Sequence, residues 1–501
     1  MNKSLAKNSL FNVIYTVSNI LFPLIASMYI SRILLADGVG RVSYAQNVVS
    51  YFTTFAALGL PVYGIREIAK ARDNQNSLNE VFTELFLINA ACTTISIILF
   101  ALLLIITPEM RMELPLYLSC GLLLFLNYFN IDWLYQGIEE YVYISCRSIL
   151  IKVLMLLALV GVVHNKEHYV LYALVTSIAT GGNYLFNIIY ARRFVRLKFT
   201  NLKFKRHLKP LLVLAASVLF ASLYSKVDTT MLGMLATKEE VGYYSYAQKT
   251  INIVVTVCTS ISGAFLPGMS YLYQSNKGSF RNMVTLGTKI LNFITIPMTT
   301  GFFMLAEPLV LVLYGSNFTP ALPTIRVFCI LILIKSYGNL LCYQLLICTN
   351  NEKLQLPSYG VAALINIILN AILIPSYQCL GAAVASIVSE LVVNFWQFIV
   401  MKKTTSIVID KKTLLQSVFS SGIMAISIMI TLHLMKNIIL QLFVSVIMGS
   451  CTYFIINYLI KYLYKVIHLI IIVFVNNVIF NNIIFCCGFS NNINYFSFYN
   501  I

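Results

Sequence analysis

Fourteen mostly apolar runs organise this chain of 501 residues, each long enough to cross the hydrocarbon of a bilayer as a helix, which takes about 20 residues. The first seven lie near 10–31, 39–64, 82–106, 114–135, 142–163, 169–190 and 210–233. The second seven lie near 241–266, 284–304, 322–347, 356–375, 380–400, 413–435 and 438–460. Runs so long and so rich in Leu and Ile exclude an outer-membrane barrel, whose strands alternate over roughly ten residues. The chain is 59% hydrophobic and 11% charged, with a mean hydropathy of +0.82. Soluble domains carry roughly 25% charged residues. The expected class is an all-α polytopic membrane protein of about 14 transmembrane helices. The first run is too long for a signal-peptide core and carries no small-residue cleavage site, so it is expected to stay attached.

A net charge of +17 invites a nucleic-acid reading, and its distribution argues against one. With the N-terminus inside, one face collects Lys3, Lys7, Arg66, Lys70, Arg72 and eight basic residues from Arg192 to Lys209. Lys277, Arg281, Lys353, Lys402, Lys403, Lys411, Lys412, Lys461 and Lys465 join them. The other face receives only Arg32, Arg41, Arg111, Lys166, Lys238 and Lys436. Twenty-two against six is the positive-inside bias, so both termini are expected in the cytoplasm. The eleven cysteines are scattered without C-x-x-C, which points to neither disulfides nor a metal site. His164 and His168 flank a short outer loop, either as a solvated pair or as two metal ligands. The absence of G-x-x-x-x-G-K-[ST] leaves no P-loop ATPase motor.

The two halves share a phrase. "VGRVSYAQ" at 39–46 returns as "VGYYSYAQ" at 241–248, an offset of 202. A polar pattern continues at the same offset: Ser43, Asn47, Ser50 and Thr54 in span two, Ser245, Lys249, Asn252 and Thr256 in span eight. Each set follows i, i+4, i+7, i+11 and falls on one helix face, which must face protein or a water-filled cavity. Two homologous lobes around a cavity is how many secondary transporters are built; packing cement is the alternative for the Ser and Thr positions. A charge at mid-helix costs roughly 2.5–3.5 kcal/mol even on the mild insertion scale, so Lys249 requires compensation. Further cations lie within the spans: Arg147, Lys152, Lys226, Lys289, Arg326 and Lys335. The acids there are Asp132, Asp228 and Glu390, with Glu84 near an end. Arg147 and Arg326 can snorkel from span ends; the excess of cations inside points to an anionic ligand. In span twelve Ser386, Glu390, Asn394 and Gln397 form another polar face, with Glu390 either a proton- or sodium-linked carboxylate or the partner of a neighbouring Lys.

"SRILLADGVGRVSYAQ" at 31–46, "PVYGIREIAKARDN" at 61–74, "DWLYQGIEE" at 132–140 and "LVLVLYGSNFTPALPTIRVF" at 309–328 together resemble the polysaccharide-transporter family. That family holds the Wzx-type flippases of the multidrug/oligosaccharidyl-lipid/polysaccharide exporter superfamily, and the resemblance covers residues 5–460 or thereabouts. It implies two pseudo-symmetric six-helix lobes around a V-shaped cavity, plus two C-terminal helices. The division is then an N-terminal lobe over 1–195, a basic cytoplasmic linker over 196–209 and a C-terminal lobe over 210–400. Helices 13 and 14 occupy 401–462, and an Asn-rich hydrophobic tail, unlike the family, occupies 463–501. A second departure is that "DWLYQGIEE" has no obvious duplicate in the second half, where "LLICTNNEKLQ" stands in its place.

The activity so implied is movement of an undecaprenyl-pyrophosphate oligosaccharide, an O-antigen or capsule unit, across a bacterial inner membrane. It needs no catalytic residue, cofactor, metal or nucleic acid. Partners implied beside membrane lipid are H+ or Na+, an O-antigen polymerase and a chain-length regulator. Candidate substrate residues are Arg66, Lys249, Lys335, Asn47, Asn252, Arg147 and Lys226; candidate ion-coupling residues are Asp228 and Glu390. A lipid II-type flippase differs only in head group. A drug/cation antiporter would want an acidic cavity, and a membrane polymerase or glycosyltransferase a large outer loop. Eight basic residues between 192 and 209 resist translocation, so a cysteine replacing Lys203 in a cysteine-free background should stay unlabelled by an impermeant thiol reagent in intact cells. Labelling from outside overturns the topology.

Overall fold

The computed structural model describes residues 5–486 apart from 201, 350, 352–353 and 405–409. Lys3, Lys353 and the end of the expected tail, 487–501, lie outside the described residues. The described residues form helices and connecting turns, with no strand among them. The first half contributes α1 (Leu5–Ala57), α2 (Leu60–Ala71), α3 (Gln75–Ile106), α4 (Leu114–Leu126), α5 (Asp132–Gly137), α6 (Tyr141–Val162) and α7 (Tyr169–Ala191). The second half contributes α8 (Lys205–Leu235), α9 (Lys238–Gly263), α10 (Lys277–Met304), α11 (Gln355–Thr404), α12 (Lys411–Leu434) and α13 (Ile438–Cys486). Shorter bent helices fill the stretch between α10 and α11.

Among the described residues eight helices are long and apolar enough to cross a membrane, or up to ten if each of two bent pairs counts as one span. Two of the eight are too long for one crossing. At about 1.5 Å per residue, the 53 residues of α1 and the 50 of α11 far exceed a hydrocarbon core of roughly 30 Å. Each contains one residue at positive φ, Leu35 at 56° and Gln378 at 51°. These breaks fall between the runs expected to end at 31 and 375 and those expected to begin at 39 and 380. In the second copy the position equivalent to Leu35 is Thr237, the N-cap of α9, whose hydroxyl accepts from the Glu240 N–H. Glu239 and Glu240 sit in that first turn, where the helix dipole favours negative charge.

The two copies of the octapeptide meet. α1 packs more extensively on α9 than on any other helix. At the crossing a Cβ on Gly40 would overlap the carbonyl of Lys238, and a Cβ on Gly242 would overlap the carbonyl of Ala36. Gly40 and Gly242 are equivalent at the offset of 202, and so are Ala36 and Lys238; the contact is reciprocal, as a local two-fold requires. Beside it the Lys238 ammonium lies 3.9 Å from the centre of the Tyr44 ring and donates to the Gly233 carbonyl at 2.9 Å. Arg32 reaches across to the carbonyls of Val312 and Leu313 at 2.6 and 3.2 Å. These ties gather at the Leu35 end of the bundle.

From the crossing, α8 runs antiparallel along the second half of α1. Asn47 donates to Thr230 at 2.8 Å, Lys226 to Thr54 at 3.4 Å, and Gly59, at φ 73°, lies against Leu214. The polar stripe of span two therefore faces protein. The basic segment at 196–209 is stitched along one face of α3. Asn79 accepts the Arg196 N–H and Thr83 the Lys198 N–H, each at 2.9 Å. Buried Glu84 pairs with Arg206 Nη2 and His207 Nε2, each at 2.6 Å. The expected tail is helical as far as Cys486, as the continuation of α13.

The Gly40 contact lets the backbones approach only because no side chain intervenes, so Gly40→Ala should lower the apparent Tm of the purified protein by several degrees. Gly422→Ala, which meets open space inside α12, should leave Tm unchanged or raise it, since Ala is the better helix former by about 1 kcal/mol. Equal Tm values for the two variants in a thermal unfolding assay would contradict the close crossing.

Candidate functional site

A cavity of about 560 Å³ opens in the first half of the protein between α1, α4, α6 and α7, and Lys249 of α9 reaches into it from the second half. Pro23 interrupts the hydrogen-bond ladder of α1 because it has no N–H to donate. The Pro23 carbonyl accepts from the Lys249 ammonium at 2.7 Å. One turn earlier, Asn19 accepts from Lys152 of α6. Two ammonium groups thus anchor on one wall about 6 Å apart along the helix axis, the rise of four residues.

Another wall holds a guanidinium. Arg147 is 8% exposed and its Nη2 donates to Asp132 Oδ1 at 2.9 Å. Asn187 Nδ2 donates to the same oxygen at 2.9 Å, and Tyr135 donates to the backbone carbonyl of Asn187. Arg147 also lies over the Tyr143 ring at 5.1 Å. Its Nε and Nη1 make no hydrogen bond to protein. The cavity walls carry three cations, Arg147, Lys152 and Lys249, against one carboxylate, Asp132.

Of the residues expected from sequence, Arg147 and Lys249 come together in this cavity. Asn47 and Lys226 do not line it; they join α1 to α8. Asn252 is exposed on α9, and Lys335 is half-buried on Ile330–Gly338. Arg66 is exposed on α2, 3.2 Å from Glu67 and over the Tyr63 ring. Asp228 and Glu390 lie apart from the cavity, each with its own partners. Tyr244 and Asn370 each donate to the buried Asp228 at 2.7 Å, Ser386 donates to it as well, and Tyr224 donates to Glu390. Tyr224 and Asp228 are one turn apart on α8, as Ser386 and Glu390 are on α11, which makes two rungs between these helices. His164 and His168 bond the carbonyls of Gly161 and Val162 at 3.0 Å each. Among the lining residues that escape the sequence reading of the site are Lys152 and Asn183. Lys152 shows there only as one more charge within span five, and Asn183, a lone amide in span six, gives no signal at all.

Residues 5–273 match the family described as polysaccharide biosynthesis protein. A protein of Escherichia coli strain K12, described as a candidate O-antigen transporter, is 22% identical over 78% of this chain and 95% of its own length. The candidate flippase AglR of Haloferax volcanii is 31% identical over 33% of this chain and 35% of its own. Among solved structures, an inward-facing multidrug resistance MATE family transporter of the MOP superfamily superposes with a TM-score of 0.62 at 13% identity. That match covers 76% of this chain and 94% of the other.

Proposed function

This chain belongs to the polysaccharide biosynthesis protein family, as a multi-pass membrane transporter and not an enzyme, and we propose that it flips undecaprenyl-pyrophosphate-linked oligosaccharide units. The units, of O-antigen or capsule, would pass from the cytoplasmic to the periplasmic leaflet of a bacterial inner membrane, with both termini of the chain cytoplasmic. The observation that supports this reading is the cationic excess of the cavity, with Lys249 carried into it from the other half of the protein. A pyrophosphate is drawn to such a wall by charge-assisted hydrogen bonds, and a drug cation is repelled from it. Lys249 donates to a neutral carbonyl, a bond that an anion can replace. The lipid tail stays in the bilayer while the head group crosses.

Alternating access fits the distribution of ties. The reciprocal glycine contact and the Arg32 bonds close the Leu35 end, expected to face outward, so the cavity would load from the cytoplasm. Breaking those ties while closing on the bound anion would expose it to the periplasm. Return of the empty carrier would use Asp228, which accepts from Tyr244, Ser386 and Asn370. Those hydroxyl and amide groups offer oxygens that suit Na+, and the carboxylate itself suits H+. Polymerase and chain-length regulator would take the exported unit onward.

Two measurements test this reading. Lys249→Ala should abolish export while the protein still folds and inserts, since it removes a group that is costly in the membrane. Lys249→Arg should retain much of the export, and Asn47→Ala should be milder than Lys249→Ala. Normal export by both Lys249 variants would remove the pyrophosphate from this residue. Asp228→Asn should abolish the dependence of export on the Na+ or H+ gradient in membrane vesicles; unchanged dependence would exclude this carboxylate as the coupling group.

A further inference from the structure

The wall of the cavity holds, just beneath its surface, a second set of polar groups without partners, distinct from its lysines. Nε and Nη1 of Arg147 have no acceptor in the protein, and Oδ1 of Asn183 has no donor. Both residues line the cavity, and both are more than nine-tenths buried, at 8% and 7% exposed. The amide of Asn183 is oriented by its own helix: Nδ2 donates to the Ala179 carbonyl at 3.2 Å, which leaves the oxygen as the free end. Arg147 and Asn187 share one oxygen of Asp132, and Asn183 sits one turn from Asn187 on α7. Arg147 is thus tied through Asp132 to the same face of α7 that carries Asn183, and both residues line the one cavity.

Charge decides what such a set can hold. The Lys152 and Lys249 ammoniums are on the α1 wall. Arg147 is 2.9 Å from Asp132, so the pair is neutral as a unit. An anionic group accepting from Arg147 would also sit beside the Asp132 carboxylate, whose side chain is 24% exposed and lines the same cavity. A neutral group meets no such repulsion. Two donors and one acceptor match a group that accepts and donates side by side, as an acetamido or hydroxyl substituent of a sugar does.

Resting on the flippase reading above, we propose that Arg147, braced by Asp132, and Asn183 form a sugar subsite that takes an uncharged, acetamido-bearing residue of the head group. The lysine wall then binds the diphosphate, and the two subsites read different parts of one molecule. Buried donors left unfilled by a ligand that lacks the partner group cost free energy, so this subsite discriminates by sugar while the lysines do not.

The test uses the purified full chain in lipid nanodiscs and two probes, undecaprenyl diphosphate and undecaprenyl diphosphate carrying one N-acetylglucosamine. The sugar-bearing probe should bind the unmodified protein about tenfold more tightly. Arg147→Gln and Asn183→Ala should each remove most of that preference and leave undecaprenyl diphosphate within about twofold. Lys249→Ala should weaken both probes by the same factor. Because Arg147→Gln strands the Asp132 charge, Asn183→Ala and the double variant Asp132→Asn/Arg147→Gln carry the test if the single variant does not fold. A preference that survives in Asn183→Ala and in the folded Arg147 variant overturns the subsite, as does an equal loss of both probes. If the unmodified protein binds neither probe, the flippase reading fails and the subsite with it; if it binds both equally, only the sugar subsite fails.

Discussion

Two helices can touch backbone to backbone only where neither carries a Cβ at the crossing, and Gly40 and Gly242 meet that condition for each other. Everything between the halves follows from this contact. It brings α1 and α9 together at one end and fixes a local two-fold there. The two-fold in turn lays α8 along the second half of α1 and brings Lys249 of α9 against the first half. A side chain at either glycine would separate the helices and withdraw the lysine from the cavity that it now enters.

The second constraint is the cost of charge in hydrocarbon, and the chain meets it residue by residue. Lys226 and Asp228 are two apart on α8, and at 100° per residue they point to different faces. They do not pair: Lys226 turns to Ser50 and Thr54 of α1, Asp228 to Tyr244, Asn370 and Ser386. One helix thereby carries a cation toward one half and an anion toward the other. Lys289, expected as an intramembrane cation, lies 3.6 Å from Asp410, and Arg326 lies 4.0 Å from Glu307. Lys249 instead has a backbone carbonyl at 2.7 Å and the Tyr246 ring at 5.6 Å.

What the sequence disclosed was whatever repeats or has a period. The apolar runs located the helix breaks at Leu35 and Gln378, since a span must end where its hydrophobic length is spent. The duplicated octapeptide marked two segments, and its glycines turned out to be where they touch. The polar stripe of span two faces α8, as a lipid-exposed stripe could not. Pairings across a chain reversal were not legible. Arg147 reads as a residue that can snorkel from its helix, yet α5 turns the chain so that Asp132 meets it. The basic segment after α7 reads as a linker, yet its N–H bonds to α3 depend on side chains more than 100 residues earlier.

The unequal halves have a structural reason that the repeat alone hides. "DWLYQGIEE" occurs once, and two of its residues have separate duties. Trp133 packs on Gly64 of α2 so closely that a Cβ there would collide with the indole. Asp132, next to it, faces the other way and holds Arg147 and Asn187. The first motif residue thus shapes the cavity while the second fixes α5 to α2. In the second half "LLICTNNEKLQ" supplies no Asp–Trp pair, and the buried carboxylate there, Asp228, comes from α8 and is ringed by hydroxyl and amide groups. The two halves therefore differ in chemistry: a cavity with guanidinium and ammonium groups lies in the first, and a buried carboxylate ringed by hydroxyl and amide groups lies in the second. The asymmetry keeps opposite charges apart in the membrane, since the cations of the cavity and the buried Asp228 carboxylate face different helices and do not neutralise one another.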